Sequence, residues 1–197
     1  CSAGPAFEGA GVAHGMRATA GAIEEVWVNP ETHEATYRVI YDEKPKGICG
    51  SGLISLLAEM FVAGVIDKSG NVNLSLATPR VRKGEHGPEY VVAWADETAI
   101  DEDIVVTAVD IDNLMRAKAA IYAGFSILAR SVGLTMGDIG QLLIGGAFGQ
   151  YINVENATLI GLLPDMPYEQ IQFLGNTSVR GAYMSLLSQE VRRQVVN

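Results

Sequence analysis

Gln141-Leu142-Leu143-Ile144-Gly145-Gly146-Ala147-Phe148-Gly149 is the stretch on which the reading of the fold turns. Its first four residues read as a buried strand, and the paired glycines let backbone approach a flat ligand where any Cβ would collide. In open α/β sheets, ligands sit at such C-terminal strand ends. The competing reading is a tight strand-to-helix turn that needs glycine only for its dihedrals, and the local pattern leaves the two balanced. Downstream, the pattern predicts a helix over 154–160, a strand over 170–174 and a helix from Thr177. Upstream lies a short capped segment at Thr135, preceded by the longest helix, over 110–132. Its apolar stripe is Ile111, Leu114, Ile121, Tyr122, Phe125, Leu128 and Val132, with Asp110 expected as N-cap.

Further toward the N-terminus, strands are expected over 90–94 and 104–109. Residues 67–88 are rich in Gly, Asn, Ser and Lys, show little periodicity, and read as an exposed loop or small insertion. Gly47-Ile48-Cys49-Gly50-Ser51-Gly52 is a glycine-rich loop feeding a buried helix, whose apolar positions from Leu53 to Phe61 stop at Gly64. Strands over 22–28 and 35–41 flank the turn Asn29-Pro30-Glu31-Thr32, a hairpin signal. Over 5–16, small residues recur with Gly9, Gly11 and Gly15, which suits a helix packed closely on a neighbour and entered at Gly4-Pro5. Interleaved strands and helices with an antiparallel hairpin and no internal repeat indicate an α/β chain with a mixed sheet.

The composition narrows the function. With 48% hydrophobic and 19% charged residues, the 197-residue chain supplies one good core, so a single domain with room for two lobes is expected. A formal net charge of -9 sets like charge against a phosphate backbone or an anionic leaflet, which argues against nucleic-acid and membrane partners. Cys1 and Cys49 form no CxxC or Cys/His cluster, so neither a disulfide scaffold nor a zinc site is expected, and a reducing, cytoplasmic setting fits. The chain opens on Cys1-Ser2-Ala3-Gly4, directly into what reads as a functional loop, and is taken as a fragment of a longer protein.

Several groups carry a functional reading beside a plain one. Ser2-Ala3-Gly4-Pro5 and Gly50-Ser51-Gly52 each place backbone N–H groups and a hydroxyl at a helix entrance, where a phosphate or ribose oxygen can be accepted. Taken alone, close helix packing explains such loops more often than anion binding does, and neither is a P-loop, since no Gly-Lys-Ser/Thr follows. Lys118 sits on the flank of an otherwise apolar helix, where its stem can simply cross the core edge. His14, His33 and His86 lie in unrelated surroundings, and the acidic run from Asp96 to Asp103 reads as a solvated turn.

The residues match a known family in order and over nearly the whole chain. Gly4-Pro5-Ala6-Phe7-Glu8-Gly9-Ala10, Gly47-Ile48-Cys49-Gly50-Ser51-Gly52-Leu53-Ile54, Arg116-Ala117-Lys118-Ala119-Ala120-Ile121, Gly145-Gly146-Ala147-Phe148-Gly149, Gly161-Leu162-Leu163-Pro164-Asp165 and Phe173-Leu174-Gly175-Asn176-Thr177-Ser178 resemble the C-terminal ATPase region of reductive activators of corrinoid proteins. The resemblance implies an actin-like (ribonuclease H-like) ATPase lobe of the acetate and sugar kinase, heat-shock chaperone and actin superfamily. Residues 1–197 would form the C-terminal part of that domain, a fragment of a two-lobed fold. In that superfamily ATP lies between two lobes, its phosphates and Mg²⁺ held by two Asp-containing hairpins and its adenosine by a Gly-Gly turn.

Carried over residue by residue, Gly145 and Gly146 match the adenosine turn, with Gly149 closing it. Arg116-Ala117-Lys118 looks like the helix segment beside adenine in the heat-shock chaperones, and Ser2, Gly4 and Glu8 would follow directly after the second phosphate hairpin. Gly50 and Ser51 complete the implied nucleotide contacts, and no catalytic residue or metal ligand is assigned. The two phosphate hairpins are absent from this sequence, as is the cysteine set of the plant-type 2Fe-2S domain that whole family members carry at the N-terminus.

The expected function belongs to the parent protein: ATP-dependent reduction of an inactive Co(II) corrinoid protein to Co(I), by a homodimer. An alternative is the activator ATPase of 2-hydroxyacyl-CoA dehydratases, which places a cysteine before a similar Ala-Gly loop, as Cys1 stands here, and bridges a 4Fe-4S cluster between subunits. A third is a dimerisation and partner-binding module that does not bind nucleotide.

Overall fold

The computed structural model describes residues 4–146 and 151–196, and the chain divides into two compact units. The larger is Cys1–Met136 with Asn153–Asp165; the smaller is Gly137–Ile152 with Met166–Asn197.

The predicted hairpin opens the larger unit as β1 (Ala22–Val28) and β2 (Ala35–Val39), and β3 (Gly47–Ile48) adds to β1 in parallel. The glycine-rich loop then feeds α1 (Gly50–Val62), which packs along β1. Gly52 makes this possible, because a Cβ there would stand 2.3 Å from the Ile23 carbonyl oxygen. One turn on, Ser55 Oγ accepts from the Val26 N–H at 2.9 Å, and Glu59 Oε2 accepts from the Val28 N–H at 3.0 Å. Those N–H groups lie beyond the end of the short β3, so α1 side chains supply the acceptors that a longer strand would have given. Leu53, Leu56, Leu57 and Met60 are fully buried beneath it.

A second sheet of the same unit has the order β4 (Val81–Gly84), β5 (Gly87–Ala93), β6 (Ile104–Thr107), all antiparallel. The exposed loop expected over 67–88 therefore ends early: Val81–Gly84 is a strand, and Thr78 and Arg80 are buried. Polar composition concealed this, because Arg80 is buried by partners distant in sequence. Its guanidinium donates to Glu34 and to the carbonyls of Val91 and Val92, and stacks 5.3 Å from the Trp94 ring centre. Tyr90, also buried, donates its hydroxyl to the His33 carbonyl at 2.9 Å and fastens the hairpin turn to β5.

The long helix α2 (Ala108–Ser131) starts one turn earlier than expected, since Thr107 and not Asp110 is its N-cap. Asp110 stands three residues on and accepts from the Thr107 N–H, closing a capping box. The short α3 (Val154–Leu159), capped by Asn153, packs on α1. Over 5–16 the expected helix is reduced to one 3-10 turn, Pro5–Glu8, stopped by Gly9 in the left-handed region at φ 88. The glycines there serve a backbone crossing, since a Cβ on Gly15 would lie 2.3 Å from the Gly9 carbonyl oxygen.

The smaller unit holds β7 (Leu142–Gly145) and β8 (Ile171–Gly175), paired in parallel, followed by α4 (Thr177–Leu187) and α5 (Gln189–Val196). The strand expected to be buried over 141–144 is not, because Leu143 is 53% exposed. Ile171 is the only apolar core residue of this unit among the described residues, and α4 leaves Val179, Tyr183, Leu186 and Leu187 exposed.

Candidate functional site

The expected site residues divide between the units. In the larger one, the Pro5–Glu8 turn packs on both α1 and α2, with Phe7 fully buried as its anchor. Gly4, at φ 80 and ψ 162, occupies a region open essentially to glycine alone, and Glu8 is exposed at the end of the turn. Gly50 and Ser51 form the first turn of α1; Gly50 is buried, and Ser51 Oγ lies 3.4 Å from Cys49 Sγ. Ser2 and Gly149 lie outside the described residues.

Lys118 is in the middle of α2, and its ammonium donates to the carbonyl of Ile160, the residue that ends α3. A cation at a helix C-terminus meets the negative end of the backbone dipole, so this bond also holds α3 in place. Burial pushes the Lys118 pKa below the usual lysine value. Beside it is a cavity of about 160 Å³, walled by Leu57, Phe61, Ile66, Met115 and Ile160. The remaining walls include Asp67 and Lys68 beside the Lys118 ammonium, so the cavity is largely apolar with a charged rim, a setting that suits a small group carrying a few polar atoms. Gly50 and Ser51 do not line it.

In the smaller unit, Gly145 ends β7, and a Cβ there would come within 2.9 Å of Thr177 Oγ1. Gly146 follows at φ 107 and donates its N–H to the Gly175 carbonyl at 2.7 Å. No described atom lies within 4 Å of where its side chain would stand. The turn therefore needs glycine for its dihedrals, as the plainer of the two sequence readings expects.

Sequence reasoning missed the cavity walls. Leu57 carries no functional signal, since it falls on an apolar helix stripe that reads as core, and Met115 lies off the stripe read for its helix. It also missed Asp110 and Asn113 as contacts of the loop after Glu8. Among the described residues no group of three His, Cys, Asp or Glu side chains could hold a metal, and no helix is long and apolar enough to cross a membrane.

A mixed α/β chain with open glycine turns at its strand and helix ends defines the class: it is an actin-like ATPase domain of the ASKHA type. More particularly, the chain belongs to the family described as the C-terminal domain of RACo, the ASKHA domain, whose model matches residues 1–197. It is 39% identical to the corrinoid activation enzyme RamQ of Eubacterium limosum over 95% of this chain and 32% of that protein. Identity to the Co(II) methylated amine-specific corrinoid protein reductase of Methanosarcina barkeri is 28%, covering 90% of this chain and 33% of the relative. The solved structure of a reductive activator for corrinoid, iron-sulfur protein superposes with a TM-score of 0.91 at 47% identity, over 99% of this chain and 31% of that one. The chain thus spans about a third of the length of the proteins it matches.

Proposed function

We propose that this chain is the nucleotide-contacting C-terminal part of an ATP-dependent activator that reduces an inactive Co(II) corrinoid protein to Co(I). The observation that carries the reading is Gly146: a strand-end glycine at φ 107 with no described atom within 4 Å of where its side chain would stand, in a family defined by an ATPase domain. The names of the relatives supply the corrinoid partner.

The residues present fit the adenosine end of ATP. In the larger unit, the cavity walled by Met115 and Leu57 would take an apolar face and Lys118 would donate to a ribose or base acceptor. Gly145 and Gly146, in the smaller unit, are assigned to nucleotide contact on the family resemblance alone. Gly4, Glu8, Gly50 and Ser51, with Ser2 and Gly149, are assigned to the remaining nucleotide contacts. Bound ATP would supply the free energy for an unfavourable electron transfer, through its different affinity for two conformations of the protein. We assign Mg²⁺ to the carboxylates of the superfamily's two phosphate hairpins; among the described residues no group of three His, Cys, Asp or Glu side chains could hold a metal. A chain with two cysteines likewise cannot furnish the four thiolates of a 2Fe-2S centre, which is assigned to another domain of the parent.

We place the protein in the cytoplasm, as a homodimer; analytical ultracentrifugation of the full-length protein showing only monomer would refute the second point. The decisive experiment replaces Gly146 with leucine in the full-length protein. ATP binding and ATP-dependent Co(I) formation should be lost while the iron–sulfur centre is still reduced by the same donor. Full ATP-dependent yield from the variant would show that Gly146 is a turn residue only.

A further inference from the structure

The loop over 9–16 connects the Pro5–Glu8 turn to the sheet, and it is held by two side chains from α2 and by one of its own, His14. Asp110 Oδ1 accepts from the Ala13 N–H at 3.0 Å, while its other oxygen accepts from the Thr107 N–H and hydroxyl. Asn113, one helical turn further, donates its side-chain amide to the Gly11 carbonyl at 3.0 Å. His14 Nδ1 lies 3.1 Å from the Val105 carbonyl and 3.2 Å from the Val105 amide nitrogen, so it pins the end of the loop to β6. Asp110 is 3% exposed, and each of its oxygens is committed.

These bonds exceed what the local fold requires. Capping of α2 needs only the Thr107 to Asp110 exchange, and Asn113 has no part in it. What Asp110 Oδ1 and Asn113 do in addition is fix the loop to the same rigid helix that carries Met115 and Lys118. Asn113 and Lys118 are five positions apart on α2, about 7.5 Å of helical rise. The turn that ends at Glu8 and the cavity at Lys118 are therefore held to one rod.

We propose that Asp110 and Asn113 are positioning residues that set the spacing between the Pro5–Glu8 turn and the Lys118 cavity, and with it the affinity for the phosphate end of a bound adenosine nucleotide. The inference rests on the nucleotide reading and adds residues that touch no nucleotide in it. Lys118 and the cavity keep their geometry when the clasp is broken, because the loop is not among their neighbours. The two ends of the ligand should thus respond differently.

The test is Asn113→Ala in the full-length protein, with adenosine and ATP titrated separately by calorimetry. The lost bond is exposed, so the variant folds, and a thermal melt checks this. The expected result is ATP binding weakened about five-fold with adenosine binding unchanged. Asp110→Asn, which takes one acceptor from the clasp and keeps the size, should shift the same ratio in the same direction. Unchanged ATP binding overturns the proposal, and so does an equal loss for both ligands, which is the signature of general destabilisation. Wild-type protein that binds neither ligand fails the nucleotide reading itself, an outcome visible before any variant is made.

Discussion

Asp67 shows what a single side chain can determine without being buried. Its carboxylate accepts from the Asn71 side-chain amide at 2.9 Å and from the backbone N–H groups of Asn71 and Ser69, closing the turn after α1. Each donor favours the ionised form, led by the Asn71 amide, so the pKa is held below the ordinary 3.8. The folded value is depressed, so the turn gains from this carboxylate above the unfolded pKa and loses the gain as pH falls through the folded one. Asn71→Ala should return the Asp67 titration toward 3.8, as followed by carboxyl NMR; an unmoved midpoint would assign the shift to the backbone donors. The loop that begins here was legible in composition, as a run rich in Gly, Asn, Ser and Lys. Arg80 was not, because the carbonyls and ring that bury it lie on β5 and just beyond.

Elements were read best where one local rule governed them. The limits of β1 follow from alternation and a turn signal, and Gly64 ends the apolar run of α1 as expected. The reading failed over 5–16, where glycine spacing suggested helix packing and the chain instead crosses itself between Gly9 and Gly15, a contact no local pattern encodes. Two helical glycines make the contrast measurable. Gly52→Ala forces a Cβ against the Ile23 carbonyl and should destabilise by about 1–3 kcal/mol. Gly181→Ala in α4 has nothing within 4 Å of the new methyl and should gain up to about 1 kcal/mol from helix propensity. Urea unfolding reads both; equal effects would mean that α1 is not held to β1 as described. Of the candidate site, the glycine turns were legible because backbone freedom has a sequence signature, while the cavity beside Lys118 arises from α1, α2 and α3 meeting.

For the molecule as a whole, stability is unevenly distributed. Nearly all fully buried apolar side chains belong to the larger unit, and the smaller one has Ile171 alone among the described residues. A two-stranded sheet with so little burial is marginal by itself. In the 197-residue chain, amides of β7, β8 and α4 should exchange with solvent orders of magnitude faster than those of β1 and α1. Uniform protection across both would show that the smaller unit is stabilised by contacts beyond those described.

The hydroxyl of Ser55 and the carboxylate of Glu59 also have a meaning for behaviour at high concentration. Unpaired strand N–H groups are templates on which another polypeptide can nucleate cross-β growth, and β1 offers Val26-Trp27-Val28, residues of high β-propensity, at that border. With both amides already bonded from within the same chain, no docking row is left for an incoming strand. Two polar side chains on one helix thereby act as gatekeepers against fibril formation, a safeguard that a purely apolar α1 of equal burial would lack.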